Sequence, residues 1–171
     1  MRLKGRLGYI NTKEKISTGS NGTTSQQKFK DDYLGEIGVS YFFNRNFALE
    51  LSVGAGSIEY INNSGVGKDI FFIPVSAMAQ VHFPINDTFE PYLGAGYSYS
   101  FIEREPSDTE IKNGGGPAFQ VGLDLFPGET LGLNMDVKYV LDAKHDITVG
   151  SEKFKNDFSK LVTMIGVSIP F

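Results

Sequence analysis

The chain contains no cysteine and no tryptophan, only two histidines and seven prolines, and no run of about 18 apolar residues. Without cysteine there is neither a disulfide framework nor a thiolate metal site. Without a long apolar run there is no membrane-spanning helix. The histidines, His82 and His145, lack metal-site spacing, so no metal and no cofactor is expected. The net charge is only −4 and the basic residues are scattered. A phosphate backbone therefore finds no electrostatic footprint, and nucleic acid is excluded as a partner. Met1 leads almost directly into LKGRLGYI with no secretory signal, so if exported the chain is expected to be a mature form with an added start methionine. Its 171 residues are expected to form one domain, 1–171.

Catalytic motifs are missing as well. The glycine runs at 54–56, 65–67 and 114–116 have no helix after them to make a phosphate cradle. Serine and histidine occur without a nucleophile elbow or an orienting motif. Glu50, Glu90, Asp124 and Asp136 could pair as acid and base, but nearby Lys and Arg point to a structural salt network instead. No enzyme is expected. Asn21, Asn62 and Asn86 head N-x-S/T triplets, a short motif that by itself carries little weight.

What the chain does have is alternation. In YLGEIGVSYFF the odd positions are Tyr33, Gly35, Ile37, Val39, Tyr41 and Phe43, against Glu36, Gly38 and Ser40. FALELSVGA repeats the split, and the parity continues to Leu161, Thr163, Ile165, Val167, Ile169 and Phe171. A period of two over about eight segments of about ten residues predicts an all-β chain whose strands are long enough to cross a bilayer when tilted. The connections alternate too. Asn44 to Asn46, Pro84 to Thr88 and Pro127 to Thr130 are tight, while Lys13 to Asp31, Ile61 to Lys68, Glu103 to Gly114 and Ala143 to Asp157 are long and polar. Short turns on one rim and long loops on the other predict an eight-stranded antiparallel transmembrane β-barrel of the outer-membrane type, with short periplasmic turns and long extracellular loops.

A soluble up-and-down barrel would also alternate. Its second face would be a solvated surface, whereas here that face is crowded with Gly38, Ser52, Gly54, Ser76, Gly94, Gly96, Ser98, Gly122, Gly132 and Gly166. Small residues suit the cramped interior of a narrow barrel. Phe and Tyr also gather near strand ends on the apolar face, as interfacial girdles do.

The segments FFIPVSAMAQVHF, FEPYLGAGYSYSF, GPAFQVGLDLF, LNMDVKYV and the terminal LVTMIGVSIPF resemble the OmpW family of small outer-membrane proteins. The likeness rests on motifs over about the last hundred residues and on layout before them. The loop from Glu103 to Gly114 is short and hydrophilic for that family. The resemblance implies a bacterial outer-membrane barrel with a narrow apolar channel that passes small hydrophobic solutes. It also implies that the terminal aromatic, Phe171, belongs to the signal by which the C-terminal strand meets the outer-membrane assembly machinery. Membrane lipid is the expected surrounding.

Parity assigns the interior. Toward the short-turn rim, Lys4, Arg6, Glu50, Gln80, His82, Glu90, Asp124, Asn134 and Asp136, with Lys138 higher up, should pair into a polar plug, because an unpaired buried charge is costly. Toward the long-loop rim, Ile10, Leu34, Ile58, Tyr60, Ile70, Phe72, Ile102, Val140 and Val162 should form an apolar cup open outward. Pro74, just below the cup, has no N–H for the ladder. A closed barrel must lose a bond there or bulge, and the break either serves as a lateral exit for an apolar molecule or simply ends regular pairing. The alternative function is a surface-interaction, receptor or structural barrel acting through its loops, with the lumen filled.

Overall fold

Strict alternation over this length leaves the backbone one economical solution, an extended chain paired on both sides. The computed structural model describes residues 1–13, 32–61, 67–103, 110–111, 113–126, 130–149 and 152–171. Side chains are described within these ranges except at 12–13, 32, 58–61, 67–70, 103, 110–111, 142–149 and 152–159. The strands are β1 (Arg2–Lys13), β2 (Asp32–Phe42), β3 (Phe47–Ile61), β4 (Gly67–His82), β5 (Phe89–Glu103), β6 (Glu110–Ile111), β7 (Gly114–Leu125), β8 (Gly132–Val149) and β9 (Glu152–Pro170). Consecutive long strands pair antiparallel, and β1 closes on β9 from Arg2 opposite Pro170 to Lys13 opposite Ser159. Eight long strands thus make the closed barrel, and the two-residue β6 lies outside it on Ile147 and Thr148 of β8.

Burial separates the membrane barrel from the soluble one. Leu7, Tyr33, Ile37, Leu51, Val121 and Ile165 are all more than half exposed, whereas Lys4, Glu50 and Asp124 are 0% exposed. Water around such an outer face would leave a continuous apolar patch far beyond what a soluble monomer carries. Lipid resolves the inversion, and closure leaves no unpaired strand edge in the hydrocarbon.

Two of the three expected tight turns are held by their own asparagines, and the third, Pro127 to Thr130, lies largely outside the described residues. Asn44 Oδ1 accepts from the amides of Asn46 and Phe47, both at 2.9 Å, and Asn86 Oδ1 accepts from Thr88 at 2.9 Å and Phe89 at 2.8 Å. Both chain ends reach this same rim, where the Phe171 amide donates to the Met1 carbonyl at 3.0 Å.

The long-loop rim differs from expectation between Ala143 and Asp157. In place of a loop, β8 and β9 continue as a paired hairpin from Ala143 opposite Phe158 to Val149 opposite Glu152. The sequence there, KHDITVGSEKFKND, is polar and carries no sustained period of two. A bulge precedes the hairpin, since pairing shifts between Val140 opposite Lys160 and Ala143 opposite Phe158. On the other side, β7 leaves β8 after Ala118 opposite Val140, next to Pro117, which has no N–H to continue the ladder.

Pro74 interrupts the wall without ending it. The β3–β4 ladder runs to Val53 opposite Val75, omits Gly54 with Pro74 and Ala55 with Ile73, and resumes at Gly56 opposite Phe72 in unchanged register. A bulge would have shifted the register, and an end to pairing would not have resumed. The β4–β5 ladder continues through Pro74 opposite Ser100. The missing N–H therefore faces β3 alone.

Candidate functional site

The lumen is built from even-numbered side chains in two layers. The layer nearer the short-turn rim is a connected polar network. Arg6 lies at its centre, donating to Glu50 through both terminal nitrogens (2.9 and 2.7 Å), to Glu36 at 2.6 Å and to Asn134 Oδ1 at 2.7 Å. Lys138 donates to the other oxygen of Glu36 at 2.7 Å. The Lys4 ammonium lies 3.3 Å from both Glu50 and Asp124 and 4.3 Å from the centroid of the Tyr92 ring. Gln120 Nε2 donates to Asp136 at 2.6 Å, and its carbonyl accepts from Gln80 Nε2 at 3.0 Å. His82 bridges Glu90 at 2.7 Å and Gln80 at 3.1 Å. Fork-shaped guanidinium pairing of this kind suits carboxylates in a confined, dry space.

Toward the short-turn mouth, the Arg2 guanidinium lies between the rings of Phe42 (4.4 Å) and Phe126 (4.6 Å) and donates to Glu90 and Asp124. Below it opens a concavity of about 1010 Å³ lined by residues including Arg2, Asn44, Arg45, Asp87 and Phe171. His82, Glu90 and Asp124 bring ligand atoms within 4.8 Å of one another, a donor set that could in principle take a metal ion. Arg2 and Lys4 already lie against its carboxylates, so two cations occupy that role.

Above the network lies an apolar cluster of Ile10, Leu34, Phe72, Val162 and Met164, with Ile102 packed against it. Phe72 is 3% exposed, so the region expected as an open cup is filled by its own side chains at this level. Val140 belongs to a second cluster with Met78 and Ala118. Between the layers is a cavity of about 30 Å³ that touches Pro74, Glu36 and Lys138.

The residues expected in the polar layer, Lys4, Arg6, Glu50, Gln80, His82, Glu90, Asp124, Asp136 and Lys138, are all buried and all within this network. Phe72, Pro74, Val140 and Val162 line the small cavity, and Ile102 stands beside it. Backbone pairing sets Ile58 opposite Ile70 and Tyr60 opposite Lys68, but these three expected lining side chains lie outside the described residues. Phe171 is 69% exposed at the rim. Sequence reasoning missed Arg2, Glu36, Tyr92 and Gln120 as network members and Met164 in the cluster. All occupy even positions, so parity alone was the signal.

Tyr92 gives a direct check on the network. Its hydroxyl donates to Asp136 at 2.6 Å and accepts from Asn134 at 3.1 Å. Tyr92→Phe leaves both partners in a buried site one bond short, and should lower stability by about 1–3 kcal/mol in urea unfolding of the micelle-bound barrel.

The whole chain, residues 1–171, matches the OmpW family. A putative outer membrane protein of Rickettsia bellii is 32% identical over 162 residues, covering 83% of this chain and 66% of that protein. The chain therefore spans just under two-thirds of that relative's length. The crystal structure of OprG from Pseudomonas aeruginosa superposes with a TM-score of 0.70 at 19% identity, covering 99% of this chain and 94% of that one. The solid-state NMR structure of AlkL in DMPC bilayers gives the same score at 21% identity, covering 99% and 90%. With a family match from end to end and a lipid-facing barrel of the outer-membrane type, this chain belongs to the OmpW family.

Proposed function

We propose that this outer-membrane barrel is a narrow passage for small hydrophobic molecules, which enter at the extracellular rim and leave sideways into lipid beside Pro74. The observation that carries this reading is the coincidence of three features at one level of the wall. The β3–β4 ladder omits Gly54 with Pro74, Leu34 and Phe72 of the apolar cluster lie against that gap, and the polar network lies beneath. A Cβ at Gly54 would come within 3.0 Å of both the Pro74 ring and Leu34, so glycine there keeps the interrupted stretch thin. Straight passage down the axis would have to break paired charges, each costly to strip of its partner. The sideways route avoids them.

The test uses vesicles with a lipopolysaccharide outer leaflet and an apolar dye whose emission rises in lipid, beside a polar dye of similar size. The barrel should speed entry of the apolar dye alone. Phe72→Lys should abolish the gain while the barrel still folds; unchanged entry in that folded variant refutes the route. Insertion itself is assigned to the outer-membrane assembly machinery acting on β9, whose last residue, Phe171, stays exposed at the rim.

A second reading, a barrel that binds partners through its outer end, is favoured by one feature: the β8–β9 hairpin and β6 form a small sheet beyond the barrel wall. Replacing 143–158 with a tight turn should then remove partner binding and leave dye entry intact.

A further inference from the structure

The cavity between the two layers has a chemistry that the passage of purely apolar molecules does not require. Its upper walls are Ile10, Leu34, Phe72, Val162 and Met164, but its lining also includes three serines on the β4–β5 side, Ser76, Ser98 and Ser100, and on its floor the Lys138–Glu36 pair. These serines are buried, at 2%, 5% and 8% exposure, and Ser76 Oγ donates to Ser98 Oγ at 2.9 Å. Directly across the ladder from Ser76 is Ser52, whose buried hydroxyl has no hydrogen-bond partner. The opposing strands β3, β4 and β5 therefore carry a row of hydroxyls one rung below the omitted Gly54–Pro74 pair. A row of alanines would serve a purely apolar route better, since each buried hydroxyl costs free energy unless it is bonded.

From this geometry we infer that the site selects uncharged amphiphiles with one hydroxyl head, such as a medium-chain primary alcohol. The head sits among Ser76, Ser98 and Ser100 and the tail runs past Pro74 into lipid. The inference deepens the passage reading and rests on it for the tail's path. Size supports the assignment: about 30 Å³ matches a group the size of one water molecule, enough for a hydroxyl but not for a chain. Charge decides against a carboxylate head. The floor cation Lys138 is already neutralised by Glu36, and Lys160, which also lines the cavity, holds its ammonium over the Phe72 ring at 5.2 Å. Among the described lumen residues, Arg2, Lys4, Arg6, Lys138 and Lys160 face Glu36, Glu50, Glu90, Asp124 and Asp136, five against five, so no cation stands in excess to take a further anion. A hydroxyl both donates and accepts, as the serines do.

The methionines report on this without added labels in the site. Met164 lines the cavity, while Met135 faces outward at 45% exposure and senses only lipid. With methyl-13C methionine protein in nanodiscs, titration with 1-octanol should shift the Met164 methyl saturably, while n-octane and octanoate move it no more than Met135. The double variant Ser76→Ala/Ser98→Ala should weaken 1-octanol binding at least fivefold, with the Met135 signal confirming a folded barrel. Equal saturation by n-octane, tighter binding of octanoate, or an unchanged double variant overturns the assignment. Dye entry is measured separately, so saturable binding of 1-octanol with no dye entry would defeat the passage reading and leave the headgroup site standing.

Discussion

Arg6→Ala is expected to cost about 3–5 kcal/mol of barrel stability, the penalty for stripping a partner from buried charge. The side chain bonds Glu50 twice, Glu36 once and Asn134 once, all inside the lumen. Alanine leaves Glu50 with Lys4 at 3.3 Å and Glu36 with Lys138 at 2.7 Å, each missing its strongest donor. The size of the loss reflects uncompensated carboxylate and overstates what the pair contributes to stability. Arg6→Met combined with Glu50→Gln should therefore recover most of it, because an apolar or neutral replacement of both partners removes the buried charge along with its attraction. Urea titration of the micelle-bound protein, followed by the mobility difference between folded and unfolded barrel in a gel, measures both variants. A single variant as stable as the parent would mean that water enters the lumen freely at Arg6.

Gly166→Ala is expected to prevent closure of the barrel, whereas Gly5→Ala, on the neighbouring strand, should be nearly neutral. Gly166 pairs with Arg6 across the β1–β9 seam. A Cβ there would collide with the Gly5 carbonyl oxygen and stand 2.7 Å from the Arg6 Cα. Both are backbone atoms, which no rotamer change can move aside. At Gly5 the nearest atom to an added Cβ is a Val167 methyl at 4.0 Å, ordinary contact distance. Overpacking in a close-packed interior costs about 1–3 kcal/mol, and more where backbone must give. The seam pairs β1 with β9, so the cost falls on closing the barrel. The folded fraction after refolding into micelles should drop sharply for Gly166→Ala and stay at the parental level for Gly5→Ala. A Gly166→Ala barrel that folds at parental yield would show that the β1–β9 seam is wider than 2.7 Å contacts allow.

These two positions also show how much was legible beforehand. Arg6 was readable as an inward cation from parity and from the need to pair buried charge. Its partners were not, because Glu36 and Glu50 come from different strands and Asn134 lies 128 residues along the chain. Gly166 was readable as an inward small residue. That it meets backbone rather than side chain depends on how closely β1 approaches β9, a quantity with no local signature. Pro74 was legible as a break in pairing. Only the register on both sides shows that the break faces β3, skips Ala55 as well, and leaves the register intact. The hairpin beyond the bulge was read as a loop because its sequence is polar and lacks a sustained period of two.

By itself the sequence determined the all-β class, the parity of inward and outward faces, and the placement of charge in a lumen rather than on a surface. Each of these follows from a local period of two and from the cost of charge in lipid. The tertiary structure alone decided which strands close the seam, which carboxylate each cation takes, that the apolar region is filled by Phe72 and Met164, and that a small cavity lies beside Pro74. Those features depend on distances between residues far apart in the chain, which are set only when eight tilted strands close into a barrel of one diameter.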